Sequence, residues 1–301
     1  MRPQKCKPSK KHGSKYSSAP VNATCPDSQE YTTTSTNNHE AFQRYWNAEI
    51  VQSTAIRHQK TVTPPCEVCQ IELTLFVSCY NEAAFIEDTL NTIIQALDIV
   101  QITYEIIVID DCSKDHSADI VRTFIANHPH INISLRINKT NKGLAQNYID
   151  GAFIGCGKYY RLICGDNAEP IETITKVLKM IGSADIIVPY YVSAEGKSAY
   201  RRFISHFYTT IVNWVSGNKL NYYNGLQVHL RHNVMRWHPN TRGFGFQAGL
   251  LCLLLDMGFT YQQVSCITVE RRGGDGNALT LKNLRSVVHI LGSIILRRIA
   301  I

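Results

Sequence analysis

From Ile71 onward short apolar runs alternate with amphipathic stretches, and no other feature restricts the possible folds as strongly. Ile71–Ser78 is an apolar run of strand length, followed through Cys79-Tyr80-Asn81-Glu82 by Ala83–Leu97, where Phe85, Leu90, Ile93, Ile94 and Leu97 recur at helical spacing. Tyr104–Ile109 predicts the next strand and Ala118–Ala126 the next helix. Ile131–Ile137, Gly143–Phe153 and Tyr159–Cys164 repeat the pattern as strand, helix and strand. Such alternation implies a mostly parallel sheet covered by helices, with ligands bound beyond the carboxyl ends of the strands. The polar residues that follow the strands are therefore the candidates for a site.

Beyond Asp166 the pattern loosens. A strand is expected at Asp185–Val192, a long helix at Tyr200–Val215, a helix at Phe246–Met257 and a strand at Gln262–Val269, which leads into the basic loop Glu270–Gly276. Leu281–Ile301 places Leu281, Leu284, Val288, Leu291, Ile295 and Ile299 on one helical face, flanked by Lys282, Arg285, Arg297 and Arg298. A helix of this kind either packs on the domain or lies in a membrane interface. The longest apolar stretch, Ser286–Leu296, contains His289 and is about half the ~20 residues that a spanning helix needs. No secretory signal is expected, because no apolar segment follows the basic N-terminus.

The first 60 residues hold nine Lys or Arg against four Asp or Glu, and residues 1 to about 40 are rich in Ser, Thr and Asn with few apolar side chains. Burial cannot offset the ordering entropy of such a segment, so 1–70 is expected to be a largely disordered extension. A solvated tail accounts for its charge, and no nucleic acid is expected as a partner. The irregularly spaced cysteines Cys79, Cys112, Cys156, Cys164, Cys252 and Cys266 read as small core residues of a reduced, cytoplasmic protein. Cys66 and Cys69 form a CxxC pair without a second close-spaced pair to complete a zinc site.

Three strand ends carry polar clusters: Asn81 and Glu82, then Asp110 and Asp111, then Gly165, Asp166 and Asn167. Each alone is an ordinary cap or turn. Three of them in one βαβ series point to a site.

The residues of these clusters also resemble a known family. "LTLFVSCYNEAAFIEDTL" is similar to the opening strand–loop–helix of family 2 glycosyltransferases, and "YEIIVIDDCSKDHSADIV" to their Asp-Asp-Gly-Ser segment, with Cys112 in place of Gly. "NKGLAQNYIDGA" resembles the family's Asn-x-Gly helix start, and "YYRLICGDNAEP" its DXD-type loop ending in Pro. The resemblance covers about residues 71–275. It implies a GT-A, Rossmann-like α/β fold with a catalytic domain at 71–277 and a C-terminal amphipathic helix at 278–301.

It further implies a nucleotide-sugar site of Tyr80, Asn81, Glu82, Asp110, Asp111, Ser113, Gly143 and Asp166, in which Glu82 and Asp111 contact base and ribose. Asp166 would ligate Mg²⁺ or Mn²⁺ on the donor diphosphate. Cys164 stands where the family carries the first carboxylate of its DXD pattern, so Asp166 would act alone or with Asn167 or Glu169.

"RRFISHFY", "NYYNGLQVHLR", "GFGFQAGLL" and "VERRGGDG" resemble the acceptor side of polyprenyl-phosphate sugar transferases. That likeness assigns Arg202 or Arg201, Ser205 and Arg271 to the acceptor phosphate, which arginine pairs in bidentate fashion. Gln247-Ala248-Gly249 holds no carboxylate to serve as general base, and an anionic phosphate acceptor needs none. The expected reaction is an inverting hexose transfer from a UDP- or GDP-sugar to a polyprenyl phosphate at the cytoplasmic membrane face, with a membrane-protein partner. The alternatives are a glycan or protein hydroxyl acceptor, and a degenerate domain that binds nucleotide sugar without turnover.

Overall fold

A computed structural model describes residues 71–195, 199–237, 245–269 and 281–299, all within the compact unit Val68–Ile301. The expected Cys66/Cys69 pair, the N-terminal extension and Arg271 lie outside these residues.

The strands are β1 (Leu73–Cys79), β2 (Tyr104–Asp110), β3 (Ile133–Ile137), β4 (Tyr159–Cys164), β5 (Ile186–Glu195), β6 (Val228–Leu230) and β7 (Tyr261–Val269). The helices are α1 (Ile86–Val100), α2 (Ser117–Asn127), α3 (Leu144–Ile154), α4 (Ile171–Leu178), α5 (Ala199–Ser216), α6 (Arg231–Met235), α7 (Phe246–Asp256) and α8 (Leu281–Ile299). They build a seven-stranded sheet in the order β3-β2-β1-β4-β6-β5-β7. β1 runs parallel to β2 and β4, β2 to β3, and β5 to β7, while β6 alone is antiparallel to its neighbours β4 and β5. The mostly parallel sheet expected from the alternation is therefore present, and the carboxyl ends of β1 to β4 share one edge.

Strand alternation divides the core between the two faces of the sheet. Leu73, Leu75 and Val77 of β1 join Ile86, Leu90 and Ile93 of α1, Val121 and Phe124 of α2, and Ile174 and Val177 of α4. Phe76 points the other way, toward Tyr148 and Ala152 of α3, Leu250 and Leu251 of α7, and Ile290 and Ile294 of α8. Each fully buried Leu, Ile or Phe contributes about 1.5–3 kcal/mol, so these two layers fix the strand ends that carry the polar loops. α1 begins at Ile86 rather than Ala83, because the amides of Phe85 and Ile86 both bond to the Glu82 carbonyl in a turn. It ends at Gln101, whose left-handed backbone returns an N–H to Leu97 O.

α8 packs on the domain: Ile290 and Ile294 are buried, and Ile290 lies against Gly249 of α7. Its outer face leaves Val288, Ile295 and Leu296 exposed. Among the described residues no helix is long and apolar enough to cross a membrane. The six described cysteines are free; Cys79, Cys252 and Cys266 are buried, but Cys156 is exposed in the loop after α3 and is not the core residue its spacing implied.

Candidate donor site at the sheet edge

The loops after β1 and β2 are bound to each other by hydrogen bonds. Asn81 N–H donates to Ser113 Oγ at 3.0 Å, Lys114 N–H to Asn81 Oδ1 at 2.8 Å, Glu82 N–H to Ser117 Oγ at 2.9 Å and Ala83 N–H to Asp115 Oδ2 at 3.1 Å. Two left-handed residues make these turns, Asn81 at φ 56° and Cys112 at φ 66°. Asn tolerates that region, whereas Cys does so only at a cost of about 1–2 kcal/mol that Gly would not incur.

Asp111 ties in the third loop. Its carboxylate accepts from Lys142 N–H and Gly143 N–H, each at 2.8 Å, and from Asn138 Nδ2 at 2.9 Å. The residue is 5% exposed, and burial alone would raise its pKa. Hydrogen bonds from Asn147, Lys142, Asn138 and Gly143 outweigh that and hold the carboxyl below its usual range. Asp111 thus fixes the start of α3, where Gly143 adopts φ 83° as it turns its N–H onto the carboxylate.

Asp110 differs. Its Oδ1 accepts Ser113 N–H at 2.9 Å, and its Oδ2 is buried without a hydrogen-bond partner among the described residues. A buried acceptor without a donor is costly, and it suits a ligand that brings one. Beside it, burial and then the Asp110 charge push the Cys79 thiol up to about 12.

After β4 the chain passes close to β1: a side chain at Gly165 would stand 2.7 Å from Ser78 O and 3.0 Å from Ile86 Cδ1. The half-buried Asp166 accepts Ala168 N–H at a long 3.3 Å, and Asn167, left-handed at φ 50°, accepts Thr92 Oγ1 of α1 at 3.2 Å. Glu169 turns inward, where Arg161 Nη2 meets both its oxygens at 2.9 and 3.0 Å. That pairing removes Glu169 from the set of metal ligands open to Asp166. Burial drives the Cys164 thiol far up, and the charges of Asp166, Glu169 and Glu82 add to the shift, so it stays protonated.

The edge therefore brings together Tyr80, Asn81, Glu82, Asp110, Asp111, Ser113, Gly143 and Asp166. Arg202 and Ser205 stand on α5, Arg202 exposed and Ser205 half-buried beside Tyr222. Among the described residues no three His, Cys, Asp or Glu side chains converge to hold a metal unaided. One half-buried carboxylate at a strand end fits a hard cation that takes most of its ligands from a diphosphate and water. Sequence reasoning missed Asn138, Asn141 and Arg161; a lone Arg inside the apolar run "YYRLIC" was the available signal.

The model of Glycosyl transferase family 2 matches residues 74–241, a span that contains every loop described above. The chain belongs to this family. Its members with similar sequence include the dolichyl-phosphate beta-glucosyltransferase of Dictyostelium discoideum, 32% identical over 112 residues, or 36% of this chain and 34% of that one. The poly-beta-1,6-N-acetyl-D-glucosamine synthase of Staphylococcus aureus is 32% identical over 97 residues, 30% of this chain and 23% of that one. The chain thus matches about a third or less of the length of these relatives.

Two solved structures share the GT-A fold. A mannosyltransferase from Pyrobaculum calidifontis, in complex with GDP-Man and Mn²⁺, superposes with TM-score 0.58 at 18% identity, covering 86% of this chain and 73% of that one. Glucosyl-3-phosphoglycerate synthase from Mycobacterium tuberculosis, in complex with Mn²⁺, UDP and glucosyl-3-phosphoglycerate, gives 0.57 at 16% identity over 75% and 80%.

Proposed function

We propose that the protein transfers a hexose from a UDP- or GDP-sugar to a polyprenyl phosphate, with inversion at the anomeric carbon. The observation that carries the acceptor half is the outer face of α5 and α8. Phe203, Phe207 and Trp214 of α5 are 67%, 58% and 84% exposed, and Val288 and Leu296 of α8 are 61% and 69% exposed. The two helices contain Arg201, Arg202, Lys282, Arg285, Arg297 and Arg298 but no Asp or Glu. An exposed aromatic and aliphatic face, with Arg202 and Arg298 exposed on the same two helices, suits an anionic bilayer surface, where such an acceptor resides. The relatives named for dolichyl phosphate point the same way. The protein would then act peripherally at the cytoplasmic membrane face, beside a membrane-protein partner.

On the donor side, Tyr80, Asn81, Glu82, Asp110, Asp111, Ser113 and Gly143 would form the nucleotide cradle, with Asp110 Oδ2 as an open acceptor. Asp166 would hold Mg²⁺ or Mn²⁺, which when bound neutralises charge on the departing diphosphate. Arg202, Ser205 and Arg271 would orient the acceptor phosphate. Its oxygen forms the new bond to the anomeric carbon as the bond to the nucleoside diphosphate breaks on the opposite face. Because that oxygen is already anionic, no base is needed, consistent with Gln247-Ala248-Gly249 at the start of α7.

Incubation with radiolabelled UDP-glucose or GDP-mannose, Mn²⁺ and vesicles containing a polyprenyl phosphate tests the reading. Label should enter the organic phase only when the polyprenyl phosphate is present. The match to poly-beta-1,6-N-acetyl-D-glucosamine synthase favours a second reading, a glycan hydroxyl acceptor. Label that moves instead into water-soluble glycan, with or without the lipid, would select it.

A further inference from the structure

One buried side-chain network outside the donor cradle reaches both halves of the proposed site. Arg161 lies on β4 with 0% exposure, the largest fully buried side chain described. Its Nη2 grips both oxygens of Glu169, and its Nε donates to Leu226 O at 3.2 Å. Tyr191 of β5 donates its hydroxyl to Glu169 Oε1 at 3.1 Å. The Tyr191 ring meets Tyr222 edge-on at 5.6 Å, and Tyr222 in turn lies beside Ser205 of α5. Thr268 Oγ1 of β7 donates to Ala168 O at 3.0 Å, which holds the same loop from a further strand.

We infer that Arg161, Glu169 and Tyr191 are positioning residues for Asp166, fixing the metal-binding loop relative to the acceptor-side helix. The inference rests on the donor reading above. Stability gives little reason for such a pair, because a buried ion pair loses several kcal/mol per ion to desolvation and well-packed apolar residues commonly replace it without loss. Here the pair is not even fully satisfied: Arg161 Nη1 is buried with no hydrogen-bond partner among the described residues. What the pair does supply is a fixed location. Glu169 is three residues beyond Asp166, whose own link within the loop is the long bond to Ala168 N–H, so the bidentate grip sets where the Asp166 carboxylate stands. The edge-on tyrosines extend this packing toward the side of α5 that carries Ser205. Outer partners of this kind typically change metal affinity by about 10–100-fold.

The test compares wild type, Tyr191→Phe and the double variant Arg161→Met/Glu169→Leu by thermal unfolding, by UDP and GDP binding titrated with Mn²⁺, and by hydrogen exchange at residues 165–169 without nucleotide. The double variant should melt at or above the wild-type temperature yet need about tenfold more Mn²⁺ for half-maximal metal-dependent binding. Binding that persists without metal should not change in either variant. Tyr191→Phe removes one hydroxyl, so it remains informative if the double variant fails to fold. It should raise the Mn²⁺ requirement several-fold and speed exchange in the loop. Variants that match wild type in Mn²⁺ requirement and loop exchange would overturn the inference alone. A wild type that binds no nucleotide at any Mn²⁺ concentration would overturn the donor reading and this inference with it.

Discussion

Replacing Asp111 with Ala removes the acceptor that joins β2 to the start of α3. The amides of Lys142 and Gly143, at 2.8 Å each, lose their partner, and Asn138 Nδ2, at 2.9 Å, keeps only its bond to Asn147 Oδ1. Hydrogen bonds to a charged group contribute about 1.5–3 kcal/mol each. Lys142 and Gly143 are half-buried, so water partly satisfies their amides, while Asn138 is buried. A loss of about 3–5 kcal/mol follows, a large share of the stability of an ordinary domain.

The pH dependence has a definite sign. The folded-state pKa of Asp111 is lowered, so its contribution is fully present above the unfolded value of about 3.9 and is lost as pH falls through the folded value. Urea unfolding of wild type and Asp111→Ala at a series of pH values measures both effects. The gap should be constant between pH 5 and 7, at about 3–5 kcal/mol, and narrow below about pH 4. A gap under about 1 kcal/mol at pH 7, or one that widens in acid, would refute the account of Asp111.

Two further outcomes follow from local geometry. Cys112→Gly relieves a left-handed backbone at φ 66° and gives up only a weak thiol contact to Lys139 O, so it should stabilise the fold by about 0.5–1 kcal/mol after the added flexibility of the unfolded chain; a lower urea midpoint would contradict this. Phe207→Ser/Trp214→Ser, on the outer face of α5, should reduce co-sedimentation with phosphatidylglycerol-containing vesicles by about tenfold and leave thermal stability unchanged. Equal sedimentation of variant and wild type would remove the membrane role of that face.

The strand–helix alternation made β1 to β4 and α1 to α3 legible within a few residues, because each carries an apolar period long enough to read. α4 was missed although Ile171, Ile174, Val177 and Leu178 keep helical spacing, since eight residues between two loops give a weak signal. β6 was missed because it is three residues long and is defined by its pairing with β4 and β5. Its central His229, buried with both ring nitrogens unpartnered among the described residues and its pKa lowered to about 3 by burial, also hides the apolar pattern.

Strand-end carboxylates located the site edge, but not what each carboxylate does there. Asp111 is engaged by Asn138 and Asn141, which lie 27 and 30 residues further along the chain. Glu169 is held by Arg161, a partner across the strand-to-loop turn. Such pairings depend on tertiary geometry, which spacing along the chain does not encode. The reading of Cys156 as a core residue failed for a similar reason: the residue falls just past the end of α3, between the buried Gly155 and Gly157, and its own side chain faces outward.

The most direct test of the donor site is a thermal-shift series on the purified protein with UDP, GDP and their common sugars, with and without Mn²⁺, repeated on Asp166→Ala. Ligand that binds the native state raises the melting temperature in a concentration-dependent way. The account predicts a nucleotide-selective rise that requires Mn²⁺ and disappears in Asp166→Ala. No rise with any nucleotide at millimolar concentration, or a rise that is equal in Asp166→Ala, would contradict it.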